Sequence, residues 1–228
     1  NEVEYAEDIH TPFVMVDLKD SRNGKLKRIL GMLSFYFNVQ KTAKRYAKVE
    51  GKPDVILASS VHPLTLVAGI KLAKHFKVKC ICEMRDLWPE AIFAYSSLKS
   101  NSLIGKLLYR GERWIYSKAD ALIFTQEGGA DYIRAHKWDV ENGGPIDMSK
   151  VYHINNGVDL EAFDKNAREF IYKDADLDNP DLYKVVYAGA IRPVNDIGLI
   201  LDAAKQITDP RIKFVIYGDG NLLPQLKQ

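Results

Sequence analysis

Apolar and polar positions along this chain follow two rhythms. Short apolar runs bounded by turn residues mark strands, and longer stretches with apolar residues every three or four positions mark helices. Lys52-Pro53-Asp54 leads into the run Val55 to Ser60, which reads as a buried strand. Pro63 to Phe76 then has helical spacing, with Leu64, Val67, Ile70 and Leu72 or Ala73 on one side. Val78 to Met84 is the next strand, followed by a helix over Pro89 to Tyr95. A longer helix from about Ser102 to Ala119 can line one face with Leu103, Leu107, Trp114 and Ile115. Asp120 to Thr125 is a third strand and Gly128 to His136 a short helix. Strands alternating with helices in this way predict a doubly wound parallel α/β layer.

Beyond this the periodicity fades into a loop, Trp138 to Lys150, before a short strand Val151 to Ile154 that ends at Asn155-Asn156-Gly157-Val158-Asp159. Asp164 to Asp181 is polar and is expected to be irregular. Its acidic cluster (Asp174, Asp176, Asp178, Asp181) reads as a solvated turn rather than a metal site. The α/β pattern then restarts with a strand at Tyr183 to Tyr187, a helix at Asp196 to Gln206 and a strand at Arg211 to Tyr217. The restart predicts the opening of a second α/β domain. An initial Asn and a helix-like segment broken off over Asn221 to Gln228 predict a piece of a longer protein.

Composition narrows the class. With 228 residues, 46% of them apolar and 27% charged, the chain can bury a sizeable core and is not disordered. A net charge of only +2 argues against a dedicated nucleic-acid binder. No run reaches the roughly eighteen apolar residues that a membrane-spanning helix needs. Cys80 and Cys82 fall on one face of one strand, poorly placed to bond to each other, and read as buried free thiols of a reducing compartment.

Candidate chemistry lies where strands end, because open parallel sheets bind ligands beyond the carboxyl ends of their strands. After Met84 the chain turns at Arg85-Asp86 and enters a helix through Leu87-Trp88-Pro89-Glu90. The charged pair is a candidate for substrate chemistry, or else Asp86 caps the helix with Arg85 paired to it. Ser59 and Ser60, ahead of His62-Pro63, can hold a polar group or cap the next helix. Gly189 lets backbone approach a ligand, the following helix start attracts phosphate, and Arg192 can offer a forked donor to a diphosphate, or else this is a plain βα loop with a surface arginine. Gly218-Asp219-Gly220-Asn221 is a tight turn after the last strand, lacking the third glycine of a dinucleotide fingerprint. From Lys19 to Lys52 ten basic residues face two acids, interleaved with apolar and aromatic residues. That is a helix suited to anionic lipid or to gripping a lipid-diphosphate acceptor, or an amphipathic helix packed on the sheet with a solvated basic face.

Taken in order, several segments resemble family 4 glycosyltransferases, which have the two-domain GT-B fold. They are Pro53 to Ser60, Glu83 to Glu90, Glu112-Arg113-Trp114 with Ala119 to Leu122, Asn155 to Asp159, Tyr187-Ala188-Gly189 and Gly218 to Asn221. The likeness is to members that build O-antigen, capsule or colanic-acid polysaccharides. It implies an acceptor-binding domain over residues 1–160 lacking its first strand, a linker over 161–181, and the start of a donor-binding domain over 182–228. It implies transfer of a hexose or aminosugar, with retention, from a nucleotide diphosphate sugar to a lipid-linked or polysaccharide acceptor at the cytoplasmic face. No metal is implied, since cations and helix N-termini serve the leaving diphosphate. Arg85 and Asp86 would contribute to catalysis. Gly189, Arg192, Asn195 and Gly218 to Asn221 would face the donor, and Ser59, Ser60, Glu90, Asn156 and Gly157 the substrate region between domains. Arg85 stands where many relatives have histidine, and Asn195 where many have lysine. This segment alone is expected not to turn over. Two further readings of the same fold are a sugar-nucleotide epimerase, for which the five histidines do not cluster in sequence, and a non-catalytic sugar-nucleotide or lipid-binding scaffold.

Overall fold

A computed structural model describes residues 13–17, 24–60 and 62–227. Lys19, Asp20 and Arg22 of the basic stretch, and His10, lie outside the described residues. The chain divides into two compact units, Asn1–Asn156 and Gly157–Gln228.

The first unit is built on four parallel strands in sequential order: β1 (Val55–Ser59), β2 (Lys79–Met84), β3 (Ala121–Phe124) and β4 (Val151–His153). Register runs Ala58 to Cys82, Cys82 to Leu122 and Phe124 to His153. Helices α1 (Lys25–Val49), α2 (Pro63–Phe76), α3 (Trp88–Tyr95), α4 (Leu103–Lys118) and α5 (Gly129–Ala135) accompany them. Because side chains alternate along a strand, Cys80, Cys82 and Met84 all enter one face, where they join Leu122, Phe124, Ile115, Tyr116 and Ile133 in the core. The two cysteines are free and fully buried, with sulfurs 3.9 Å apart. One expectation is corrected: β1 is not buried on both faces. It is an outer strand of the described sheet, and Val55 and Leu57, on the face away from the core, are exposed.

Helix α1 extends about 37 Å and packs on α2. The Phe35 ring meets His62 edge-on at 5.4 Å, and Lys71 donates to the Tyr36 hydroxyl at 2.5 Å. Leu26, Ile29, Leu30, Leu33 and Phe37 recur at helical spacing along it and are exposed. The segment expected to be a plain loop, Trp138 to Lys150, is ordered by a bridge from Asp139 to Ile146 and two short 3-10 turns. The buried Asp139 carboxylate accepts from the Asn142 amide at 2.9 and 3.0 Å.

In the second unit β5 (Tyr183–Ala188) pairs in parallel with β6 (Ile212–Tyr217) across helix α7 (Ile197–Gln206), and a short α8 (Leu223–Leu226) follows. The polar stretch expected to be linker begins instead as a helix, α6 (Leu160–Glu169). Asp159 caps it by accepting from the Ala162 amide at 2.9 Å, a device that composition alone hides. The acidic cluster is a turn: Asp174 accepts from the amides of Asp176 and Leu177 and from the Tyr217 hydroxyl, pinning the turn to β6.

Candidate functional site

Parallel strands bring their carboxyl ends to one edge, so each loop leaving β1 to β4 reaches the same rim of the first unit. The Arg85-Asp86 turn is fixed there by its neighbours. Ser60, only 2% exposed, donates its amide to the Glu83 carbonyl at 3.0 Å and accepts from the Arg85 amide at 3.1 Å. From the other side the Gln126 side chain donates to the Arg85 carbonyl, and the Thr125 amide donates to the Met84 carbonyl at 3.2 Å. The backbone is clamped while both charged side chains face solvent. Asp86 does not cap α3, whose N-cap is Leu87 with no side-chain bond. Among the described residues neither Arg85 nor Asp86 forms an ion pair. Among the described residues the capping-and-pairing alternative is therefore not seen, and both side chains are exposed at the rim.

Ser60 likewise serves the Arg85 turn rather than α2, whose N-cap is the buried His62. Burial holds the His62 imidazole below its ordinary pKa, and its Nδ1 has no hydrogen-bond partner among the described residues. At the end of β4, His153 Nε2 lies 2.6 Å from the Asn155 side-chain oxygen. Asn156 closes the first unit and Gly157 opens the second.

Glu90 is committed to partners within the first unit. It accepts from the Tyr109 hydroxyl at 2.7 Å and lies 3.8 Å from His136. It thereby joins a network that sequence reasoning missed. Glu112, on the buried side of α4, accepts from Tyr116 at 2.6 Å and from Tyr132 of α5 at 2.8 Å. Burial, partly offset by these two donors and reinforced by the Glu90 charge, pushes the Glu112 carboxyl up to about 7. A charged residue between Leu108 and Ile115 on an otherwise apolar helical stripe was the signal available in the sequence.

In the second unit the loops after β5 and β6 interlock. Gly189 donates to the Tyr217 carbonyl at 3.0 Å and Ile191 to the Asp219 carbonyl at 2.9 Å. A Cβ on Gly218 would lie 1.9 Å from the Gly189 carbonyl oxygen, and one on Gly220 2.1 Å from that of Ile191. Both glycines thus permit backbone to pack on backbone, which plants Ile191 in the interior and leaves Arg192 exposed beside it. Asn195 ends a 3-10 turn, and Asp196 at φ 43° leads into α7. Asp219 accepts from the Gly220 amide at 2.7 Å.

Among the described residues no group of three or more His, Cys, Asp or Glu side chains is placed to hold a metal ion. No helix among them is long and apolar enough to cross a membrane.

Parallel α/β layers with their loops gathered at the carboxyl ends of the strands are the architecture of the GT-B fold. Residues 9–143 match the glycosyl transferase 4-like domain, more than half of the chain, and the chain belongs to that family. Among solved structures it is similar to sucrose-phosphate synthase from Thermosynechococcus elongatus, at a TM-score of 0.62 and 18% identity over 94% of this chain and 48% of that one. It is similar also to Alr3699/HepE of Anabaena, solved in complex with UDP, at a TM-score of 0.52 and 18% identity over 86% of this chain and 47% of that one. This chain spans about half the length of those structures. No curated protein matches it in sequence.

Proposed function

We propose that this protein is a retaining glycosyltransferase that moves a hexose or aminosugar from a nucleotide diphosphate sugar to a lipid-linked or polysaccharide acceptor, in the synthesis of cell-surface polysaccharide at the cytoplasmic face. One observation carries the reading. In a chain of the glycosyl transferase 4-like family, the Arg85-Asp86 turn and the paired glycine loops around Arg192 all fall at carboxyl ends of parallel strands.

In this mechanism positive charge grows at the anomeric carbon as the bond to the diphosphate breaks, and negative charge grows on the leaving group. Arg192, exposed on a loop with a fixed backbone, offers a forked donor to that diphosphate without a metal. Gly189 and Gly218 to Asn221 form the surface along which the nucleotide lies, with Asn195 beside the diphosphate. Arg85 and Asp86 act on the acceptor side, where a clamped backbone fixes their positions at little entropic cost. Ser59, Asn156 and Gly157 border the substrate region. Helix α1 meets anionic lipid through Lys41, Lys44, Arg45 and Lys48 and the exposed apolar row from Leu26 to Phe37.

The test is a thermal-shift panel of nucleotide diphosphate sugars, UDP-sugars first because Alr3699/HepE was solved with UDP. A true donor at about a hundred times its Kd stabilises by about 2.7 kcal/mol, a rise of roughly 5–10 °C for a chain of this size. Arg192→Ala is expected to abolish most of that rise. A panel in which no sugar nucleotide stabilises the protein would defeat the reading. A rise unchanged in the variant would remove Arg192 from it.

A further inference from the structure

One hydroxyl of α5 stands between two carboxylates. Tyr132 Oη lies 2.8 Å from Glu112 Oε2 of α4 and 3.4 Å from Glu90 Oε1 of α3. It has a single proton to donate, so it serves one carboxylate at a time. The other two hydroxyls are already committed: Tyr116 donates to Glu112 Oε1 at 2.6 Å and Tyr109 to Glu90 Oε1 at 2.7 Å. Burial, reinforced by the neighbouring carboxylates, raises Tyr109 and Tyr132 above the ordinary tyrosine range, so both keep their protons at neutral pH.

The state of Glu112 therefore sets the direction of the Tyr132 bond. A neutral Glu112 carrying its proton on Oε2 donates to Tyr132 Oη, which leaves the Tyr132 proton for Glu90. An ionised Glu112 draws the Tyr132 hydroxyl onto itself, and Glu90 then loses that donor and faces a like charge. Burial raises the Glu112 carboxyl to about 7, so the change of state falls near neutral pH.

Position gives this choice a consequence. Helix α3 starts directly after the Arg85-Asp86 turn, and its Ala91 amide donates to the Leu87 carbonyl, next to Asp86, at 2.9 Å. The loop entering α5 carries Gln126, whose side chain donates to the Arg85 carbonyl. Tyr132 thus joins the two elements that flank the turn.

We propose that Glu90, Tyr132 and Glu112 form a proton-dependent latch, which ties α3 to α5 while Glu112 is neutral and loosens α3 when Glu112 is charged, making Tyr132 a positioning residue for Asp86. The groups that face Glu112 are Glu90 of α3, Tyr109 and Tyr116 of α4 and Tyr132 of α5, with Cys82 of β2 near Tyr116. Asp86 borders the cavity that Glu112 also lines, and α2 contributes only apolar side chains to it (Pro63, Leu64, Leu66 and Val67). Glu90 in turn faces Tyr109, Tyr132 and His136. The inference rests on the transferase reading only for the role of Asp86; the latch itself is measured without substrate.

The test is residue-resolved hydrogen exchange by NMR, with protection taken relative to the free-peptide rate at each pH. From about pH 5.5 to about pH 8.5, protection at Ala91, Ile92 and Phe93 should fall about tenfold more than at Leu72 and Ala73 of α2, the loss of one bond to a charged group. Glu90→Gln should remove this excess, and Tyr132→Phe most of it, although Glu112 still titrates in both. Glu112→Gln, neutral at every pH, should hold the protection of α3 constant across the range. His136→Asn should retain the excess. An equal fall in α2 and α3 of the wild type would overturn the latch, since the loss would then belong to the whole unit. So would an excess that survives Glu90→Gln or Tyr132→Phe in full. Loss of the excess in His136→Asn would overturn it too, moving the switch to the Glu90–His136 pair. The donor panel is read separately at one fixed pH, so a failed latch leaves the transferase reading standing, and a panel without a donor leaves the latch intact.

Discussion

Replacing Glu112 with Gln should change how the stability of the first unit depends on pH. Glu112 is 7% exposed, and its carboxyl is raised from an ordinary 4.5 to about 7. Between those values the unfolded chain releases the proton while the folded chain keeps it, so stability falls as pH rises. The contribution is fully present below about 4.5, is lost as pH rises through about 7, and is flat above. A shift of that size corresponds to a loss of about 3 kcal/mol, or roughly 6–12 °C in Tm. Other groups tilt the wild-type curve the opposite way. His62 is held below its ordinary pKa by burial. Asp120 is lowered by Lys79 and the Cys80 amide, against the opposing effect of its own burial. Both therefore favour the folded state as pH rises. The informative quantity is thus the difference between Glu112→Gln and wild type, measured by urea unfolding at pH 4.5, 6 and 8. Glutamine stays neutral throughout, and its fixed mismatch with the Tyr116 and Tyr132 hydroxyls adds an offset independent of pH. The variant should gain about 3 kcal/mol relative to wild type between pH 4.5 and 8. A difference that stays constant over that range would refute the reasoning, and would mean that Glu112 ionises in the folded protein as readily as in water.

Ser60→Ala removes the acceptor for the Arg85 amide and should lower stability by about 1 kcal/mol. The sharper readout is hydrogen exchange at Arg85, which should accelerate; unchanged exchange would mean that Gln126 alone holds the turn. Gly218→Ala places a methyl group 1.9 Å from the Gly189 carbonyl oxygen. It should destabilise the second unit by more than about 2 kcal/mol, since the clash is with backbone, with the first unit's transition unmoved. A second-unit transition at the wild-type midpoint would contradict the interlocked loops.

Much of the fold was legible because its signals are local. The apolar runs ending at Ser60, Met84 and Thr125 locate strands to within a residue or so, and Pro63 to Phe76 is the helix its spacing predicts. The failures lie where structure depends on one capping atom or on what covers a face. Asp159 turns a polar stretch into α6 through a single hydrogen bond, and Val55 and Leu57 are apolar yet uncovered.

The candidate site was legible in a different sense: the sequence shows which residues stand at strand ends, not what else claims them. Ser60 looks like a substrate ligand or a helix cap, yet its hydroxyl is committed to the Arg85 amide. Gly218 and Gly220 look like a nucleotide platform, yet each is required by a carbonyl oxygen of the neighbouring loop. Glu90 belongs to the same segment as Arg85, yet it faces Tyr109. These commitments strengthen the case for the residues left over. Once Ser60, Gln126, Gly218 and Gly220 have fixed the backbone, Arg85, Asp86 and Arg192 are charged, exposed, unpaired among the described residues and held in place. A charge with no structural partner on a rigid turn is poor stability engineering but good preorganisation, because its interaction energy is kept for a ligand.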